Sequence, residues 1–460
     1  METTEQTIKL PEAFAARMRD ILGEAYAAFA AELTSAAPVR ALRVNTIKTT
    51  ADRLLPSLTD AHCTPIPYAA DGYLTDLEKP GQLPQHHAGM FYMQDPSAMS
   101  TVHAMDIRPG WRVLDLCAAP GGKSTQLAAY LGDDGVLVAN EYVASRCRIL
   151  QGNIERMGCR NTVVTHLDPA EVARCYPGYF DLAVVDAPCS GEGMFRKNEL
   201  ALTEWSEENV AMCAERQRTI LESAAKCVAP GGYLLYSTCT FSPAENEENV
   251  VWFLSTHPDY HLCPVQERLL PYTAPGLNLS DRYDLTLTRR FYPHVAHGEG
   301  QYVALLVREG DAASRIEKSV SGAMSPTADE IKAANAFLRD TLKEAPQYAL
   351  IRHRDLLCFC PAVPLPPHGV FCCGVPLGTL QKGRIAPEHH FFSAYGKTFL
   401  RQFSLSSSDA DALAYIRGMT LSADGKENGW CAVLLDGAPL GGGKIAAGIL
   451  KNHYPKGLRQ

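Results

Sequence analysis

Two cysteines stand just after short apolar runs, Cys189 in D-A-P-C-S-G (186–191) and Cys239 in Y-S-T-C-T (236–240). A lone cysteine in such a place is most often a small core residue. Two of them, with Asp186 three residues ahead of the first, form a set that can act on a pyrimidine ring. Carbon 5 of cytosine is a poor nucleophile. A thiolate that adds to carbon 6 converts the ring to an enamine, whose carbon 5 can take a methyl group. Release of the thiol then requires loss of the carbon 5 proton, a task for a second acid–base group. A carboxylic acid at ring nitrogen 3 stabilises charge that develops during the attack. Asp186, Cys189 and Cys239 supply these parts, and the chemistry alone does not decide which cysteine attacks.

The methyl group needs a donor site, and the stretch V-L-D-L-C-A-A-P-G-G-K-S-T from Val113 to Thr125 offers one. Val113, Leu114 and Leu116 read as a strand cut by Pro120-Gly121-Gly122, and Ser124 to Leu131 reads as a helix with Leu127 and Leu131 on one face. In a parallel sheet this turn lies at the carboxyl end of a strand, where glycines let a ligand approach and the helix offers unpaired N–H groups. A P-loop needs a glycine where this chain has Cys117, and an ordinary glycine turn is the plain alternative. Gly135 to Glu141 then reads as a strand ending on an acid, at about the ~20-residue offset where a carboxylate accepts from ribose hydroxyls. No run of basic residues serves a triphosphate, so a nucleoside with little phosphate fits, and S-adenosylmethionine is the expected cofactor.

These pieces sit in an alternation of strand and helix from Arg112 to about Val307, which predicts a parallel sheet covered on both faces. A helix over Ser145–Gly158, strands at Val163–His166 and Asp181–Asp186, a helix over Cys213–Val228 and a strand at Gly232–Ser237 follow, with Tyr302–Val307 as the last strand. Ahead of them, Pro11 to Leu33 reads as helices and Ala41–Ile47 as a strand with Arg43 on the opposite face from Leu42. Ser97 is the expected cap of a helix over Ala98–Met105. Gly310 to Thr327 reads as a linker. Beyond it come a helix over Asp329–Leu342, strands near Leu356–Cys360 and Gly369–Gly374, and a β-rich unit from Trp430 onward.

At 460 residues, the chain is long enough for two to four domains, and 46% hydrophobic with 20% charged residues is a globular composition. The N-terminal residues lack the basic start and apolar core of a signal peptide, and no apolar run is long enough to span a bilayer. With fifteen cysteines, a reducing cytoplasm is the expected compartment. The net charge of -8 argues against a surface that grips nucleic acid all over, yet residues 325–460 carry 15 Lys and Arg against 11 Asp and Glu. The tail from Lys444 to Arg459 holds four basic residues and no acid.

Together, L-C-A-A-P-G-G-K-S, D-A-P-C-S-G-E-G-M-F and Y-S-T-C-T-F-S-P-A-E-N-E resemble the Nol/Nop/Sun family of RNA cytosine-5 methyltransferases, over about Ala41 to Val307. G-A-P-L-G-G-G-K and L-K-N-H-Y-P-K-G-L-R resemble its bacterial branch that modifies 16S ribosomal RNA and carries a PUA-like RNA-binding domain. The resemblance implies an α/β fold with a Rossmann-like class I methyltransferase domain at 101–310. It also implies a small α+β RNA-binding module at 1–100, a small α+β module at 325–390 and a PUA-like module at 391–460. It makes Cys239 the nucleophile and associates Cys189 with product release. Cofactor contacts are implied from Cys117, Ala118, Ala119, Pro120, Gly121, Gly122 and Lys123, from Glu141 to the ribose, from Asp168 near the adenine and from Asp186. Arg146 is a further candidate at the mouth. Lys123 stands near the donor or the base, or else neutralises Asp115 or Asp186. Many members have Asp where this chain has Glu141.

The implied partner is 16S ribosomal RNA or the small subunit, engaged by a monomer. Transfer RNA is the enzymatic alternative, and a non-catalytic ribosome-assembly protein the alternative of another class. The T-C cysteine and the C-terminal module disfavour a DNA methyltransferase. Cys358, Cys360, Cys372 and Cys373 lack the spacing of a zinc knuckle and read as core. His86-His87 and His389-His390 are given no metal role. Arg43 with Asn45 either touches RNA or lies on a surface strand.

Overall fold

The structure, a computed structural model, describes residues 8–35, 37–311 and 320–459. Part of the expected linker lies outside the described residues. The chain opens with helices Glu12–Leu22 and Tyr26–Ser35. They bury Phe14, Met18, Phe29 and Leu33 against Tyr292 and against Phe195 and Phe241, the last two close in sequence to the two cysteines. Four strands follow, β1 (Ala41–Val44), β2 (Cys63–Ile66), β3 (Ala69–Thr75) and β4 (Phe91–Met93), in the antiparallel order β2-β3-β1-β4.

The strand expected over Ala41–Ile47 is present but shorter, and its Arg43 face is not a surface. The strand stops at Val44, because Lys48 N–H closes a turn onto Asn45 O at 3.0 Å. Every residue of β1 is buried, and neither Arg43 nor Asn45 is exposed to RNA or to solvent. Arg43 Nε donates to Gln94 Oε1 at 2.9 Å, and its Nη2 donates to Thr125 Oγ1 at 2.7 Å and to Gly122 O at 3.2 Å. The guanidinium therefore braces the glycine turn from below, a use that desolvation would forbid without those acceptors. Asn45 Nδ2 joins Gly89 O and Met157 O at 2.7 and 2.8 Å. The expected cap also moves. Asp95, ahead of Pro96 at the first helical position, accepts from Ser97 N–H at 2.9 Å, whereas Ser97 Oγ donates to Glu299 O.

The large sheet holds β5 (Arg112–Asp115), β6 (Val136–Asn140), β7 (Thr162–Thr165), β8 (Phe180–Asp186) and β9 (Val228–Thr238) as five parallel strands ordered β9-β8-β5-β6-β7. The order reverses between β5 and β8, which opens a crevice at their carboxyl ends. Strands β10 (Tyr260–Cys263), β11 (Ala274–Pro275), β12 (Arg289–Phe291) and β13 (Gln301–Arg308) extend the β9 side. β13 runs antiparallel to β9 and pairs with β10 and β12, so it lies inside the sheet rather than ending it. The helix Glu207–Cys227 starts six residues earlier than expected, at a Ser206 cap.

After the helix Ala328–Thr341, β14 (Ala349–His353), β15 (Leu356–Cys360), β16 (Val370–Cys373), β17 (Val375–Gln381) and β18 (Arg384–Pro387) do not form one sheet. Four of them pair as β14-β15-β17-β18, and β16 crosses to lie antiparallel on β7 of the large sheet. The last unit orders β19 (Gln402–Leu405), β20 (Leu421–Ser422), β21 (Gly429–Leu435), β22 (Ala438–Ala446) and β23 (Ile449–Asn452) as β19-β21-β22-β23-β20.

The two ends of the chain share one core, in which Leu42, Val44 and Phe91 join Phe403, Tyr415 and Leu440. Lys48 sits at this junction. Its Nζ lies 2.8 Å from Ala88 O and Arg156 O, 2.7 Å from Ser393 Oγ and 2.9 Å from Pro439 O. The histidine pairs serve the same packing: His87 Nδ1 lies 2.8 Å from Tyr454 OH and His390 Nε2 3.1 Å from Cys159 O. Burial pulls His86 and His390 down to about 3, so both are neutral at physiological pH. Cys358, Cys360, Cys372 and Cys373 are all buried. Among the described residues no three His, Cys, Asp or Glu side chains are grouped to hold a metal ion, and no helix is long and apolar enough to cross a membrane.

Candidate active site

The glycine turn is held from both sides. Leu116 N–H donates to Val184 O and Ala118 N–H to Asn140 O, so the loop leaves β5 pinned between β8 and β6. Gly121 adopts φ +111°, and a Cβ there would meet Leu150 Cδ1 at 3.1 Å, so both the turn and the close helix require glycine. The helix Gly122–Leu131 begins at once, and Ser124 Oγ donates to Asp115 Oδ2 at 2.6 Å. Burial pushes the Asp115 carboxyl up to about 7.

A cleft of about 670 Å³ opens over the carboxyl ends of β5, β6 and β8. Of the expected residues, Cys117, Ala119, Glu141, Arg146, Asp168, Asp186, Cys189 and Cys239 line it. Ala118, Pro120, Gly122 and Lys123 line an adjoining groove of about 230 Å³, together with Asp115 and Tyr92. Gly121 lines neither and packs against the Ala144–Met157 helix. Tyr142, Val143, Pro169, Ala170, Pro188 and Ile220 form apolar walls that the sequence reading did not single out. Tyr142 and Val143 carry a usable signal, two apolar residues directly after a strand-ending acid. Both are exposed.

Each charged group has a defined place. Glu141 is buried, with Val143 N–H on Oε1 at 2.8 Å and Arg146 Nη1 at 3.5 Å from Oε2. Arg146 also donates to Ala119 O at 2.7 Å, so it clasps the glycine turn to Glu141. Asp168 caps the helix Pro169–Cys175 in a capping box with Glu171. Lys123 Nζ donates to Asp186 Oδ2 at 2.7 Å, and Ser237 Oγ donates to Oδ1 at 2.7 Å. Burial pulls the Lys123 ammonium down, but Asp186 overrides this and leaves its pKa above the ordinary value. Of the two neutralising roles expected for Lys123, the ion pair is with Asp186.

The thiols are sorted by their surroundings. Burial pushes Cys117 up, so at the glycine turn it remains a thiol. Cys189 Sγ and Cys239 Sγ lie 3.2 Å apart, brought together from the ends of β8 and β9. The hydrogen bond to Cys239 and burial hold Cys189 well above the usual thiol range.

The residues fit S-adenosylmethionine. The cleft and its adjoining groove offer the Glu141 carboxylate as an acceptor for hydroxyl groups, apolar walls wide enough for a purine, and Asp115 Oδ1, buried without a hydrogen-bond partner. Glu141→Gln is expected to weaken S-adenosylmethionine binding by about 10-fold or more, since hydrogen bonds to a charged group contribute about 1.5–3 kcal/mol. Titration calorimetry reads this directly, and an unchanged Kd would remove Glu141 from the cofactor site.

Three family models divide the chain. Residues 102–307 match the 16S rRNA methyltransferase RsmB/F model. Residues 10–96 match the N-terminal domain of 16S rRNA methyltransferase RsmF, and 402–460 match the methyltransferase RsmF PUA domain. Ribosomal RNA small subunit methyltransferase F of Escherichia coli O81 (strain ED1a) is 36% identical over 313 residues, which are 66% of this chain and 64% of that relative. The chain thus spans just under two thirds of that relative's length. The protein of the same name from Shewanella amazonensis is 33% identical over 449 residues, covering 92% of each chain. Among solved structures, a methyltransferase homologue from Pyrococcus horikoshii superposes with a TM-score of 0.57 at 29% identity, covering 65% of this chain and 95% of that one. With family models matched over 10–96, 102–307 and 402–460 and a relative aligned over 92% of each chain, the chain belongs to the 16S rRNA methyltransferase RsmB/F family, in the RsmF branch.

Proposed function

We propose that this chain is an S-adenosylmethionine-dependent RNA methyltransferase that forms 5-methylcytosine in 16S ribosomal RNA through a covalent cysteine adduct. The observation that carries this reading is the pair of sulfurs 3.2 Å apart at the edge of a nucleoside-sized cleft, beside the Lys123–Asp186 ion pair. A methyltransferase that acts on an already nucleophilic atom needs no such pair.

Bound in the cleft, S-adenosylmethionine supplies an electrophilic methyl group. Cys239, as thiolate, forms a bond to carbon 6 of a cytosine extruded from its stack, and the ring electrons shift toward carbon 5. Asp186 and Lys123 stabilise charge on the ring during this attack. Bonding of the Cys239 sulfur to carbon 6 ends the hydrogen bond that raises Cys189. After carbon 5 is methylated, Cys189, its own proton given to solvent, takes the carbon 5 proton as thiolate, and the electrons left behind expel the Cys239 sulfur. The N-terminal and PUA-like modules supply backbone contacts, and the net charge of -8 keeps those contacts local and salt-sensitive.

The test is methyl transfer from labelled S-adenosylmethionine to small-subunit RNA, free and in particles, with nucleoside analysis of the product. Label in 5-methylcytidine from 16S RNA is the expected result. Label confined to transfer RNA removes the ribosomal assignment, and label in any other nucleoside removes the two-cysteine chemistry.

A further inference from the structure

The loops that carry the two cysteines are tied together by two fully buried carboxylates that cross between them. Glu192 lies three residues after Cys189. Its Oε2 accepts the backbone N–H of Phe241, two residues beyond Cys239, at 3.0 Å. Its Oε1 accepts from Trp205 Nε1 at 2.9 Å and from the Arg17 guanidinium. Glu245, six residues beyond Cys239, reaches the opposite way. Its Oε2 accepts Ser190 N–H, the amide directly after Cys189, at 2.9 Å, and Oε1 accepts the Ser190 hydroxyl. Gln217 Nε2 donates to Glu245 Oε2 at 2.8 Å and to Pro188 O at 3.1 Å, so it holds the residue before Cys189 as well. Between the straps, Gly193 N–H donates to Cys239 O at 2.9 Å. A Cβ at Gly193 would stand 2.9 Å from that oxygen and 2.7 Å from the Gly300 backbone.

Two loops can be joined by neutral hydrogen bonds alone. Burying a carboxylate is far more costly, and burial raises the Glu245 carboxyl accordingly. What a buried carboxylate provides in exchange is short, directional, charge-assisted bonding to backbone N–H groups. Here both carboxylates are aimed at amides one and two residues from the reactive cysteines. A thiol that must reach a carbon 5 proton while its neighbour is bonded to carbon 6 tolerates little displacement, because misplacement by about 1 Å costs orders of magnitude in rate.

We infer that Glu245 and Glu192 are positioning residues that hold Cys189 within reach of the carbon 5 proton, and so govern release of the covalent adduct. The inference rests on the two-cysteine reading above. The test uses the full chain with labelled S-adenosylmethionine and 16S RNA, comparing wild type, Glu245→Gln, Glu192→Gln, Ser190→Ala and Cys189→Ala. First-turnover methyl transfer, steady-state kcat, S-adenosylmethionine Kd and denaturing-gel adduct are followed together. The expected result is that Glu245→Gln lowers steady-state kcat at least 10-fold, lowers first-turnover transfer much less, leaves the Kd in place and accumulates adduct. Glu192→Gln behaves similarly, and Ser190→Ala, which removes the hydroxyl's bonds to Glu245 Oε1 and Thr240 Oγ1 but keeps the Ser190 N–H on Glu245 Oε2, gives a smaller effect in the same direction. If Glu245→Gln fails to fold, Ser190→Ala decides. Adduct in Cys189→Ala with none in the folded Glu245 or Ser190 variants overturns the inference and leaves the two-cysteine reading standing. No adduct in Cys189→Ala overturns both.

Discussion

Cys239→Ala is expected to lose methyl transfer by at least about 10³-fold, with S-adenosylmethionine binding retained. Without a bond at carbon 6, carbon 5 of cytosine has too little electron density to accept the methyl group, and no other group in the cleft restores it. Cys189 is a poor substitute although its sulfur lies only 3.2 Å away. It is anchored on a different loop by Ser190 and Pro188, and its hydrogen bond to Cys239 and its burial keep it a thiol. Cys189→Ala should differ in kind, methylating once and remaining bound to RNA. A denaturing gel with labelled RNA separates the two: no band shift for Cys239→Ala, a persistent shifted band for Cys189→Ala. The reverse pattern would make Cys189 the nucleophile, as the P-C motif does in DNA cytosine methyltransferases.

The second large effect concerns stability. Lys48→Met keeps most of the side chain's length but leaves Ala88 O, Arg156 O, Ser393 Oγ and Pro439 O without their shared donor. Those acceptors come from the N-terminal module, the methyltransferase domain and the C-terminal region, so one ammonium joins three parts of the chain. Stranding buried acceptors costs about 1–3 kcal/mol each with partial relaxation, and a net loss of about 3 kcal/mol is expected. With an unfolding entropy of about 2.1 cal/mol/K per residue, that corresponds to a fall in Tm of roughly 3 °C for a 460-residue chain that unfolds as one unit. Calorimetry checks the shift, and limited proteolysis should show earlier cleavage between the modules. A Tm within about 1 °C of wild type would mean that the shared core of Leu42, Phe91, Phe403 and Tyr415 alone sets the junction.

The strand, turn and helix of Val113–Thr125 are legible in the sequence because they are contiguous, and an apolar run, a proline–glycine break and a helical face each leave a local pattern. Cys189 and Cys239 are legible for the same reason, each closing a buried strand. What is not legible depends on partners far along the chain. Arg43 reads as an outward residue because a charge alternating with Leu42 and Val44 has that pattern. Its acceptors, Gln94, Gly122 and Thr125, lie 51 to 82 residues away. Glu192 and Glu245 sit inside recognisable motifs, yet nothing near them announces that each reaches the other's loop. Asp95 displaced Ser97 as the cap because Pro96 takes the first helical position. The pairing of β16 with β7 has no local signature at all.

That pairing has a consequence for how the molecule is made. The edge of the methyltransferase sheet at Val163–Thr165 is completed by Val370–Cys373, about 200 residues later in the chain. At roughly 5–20 residues per second, a nascent chain exposes that β-edge for about 10–40 s after Thr165 has left the ribosome. An unpaired edge beside apolar Val163 and Val164 is a template for intermolecular strand addition. The interval is therefore one in which chaperones have a defined target, and a chain terminated before Val370 would carry that exposed edge permanently.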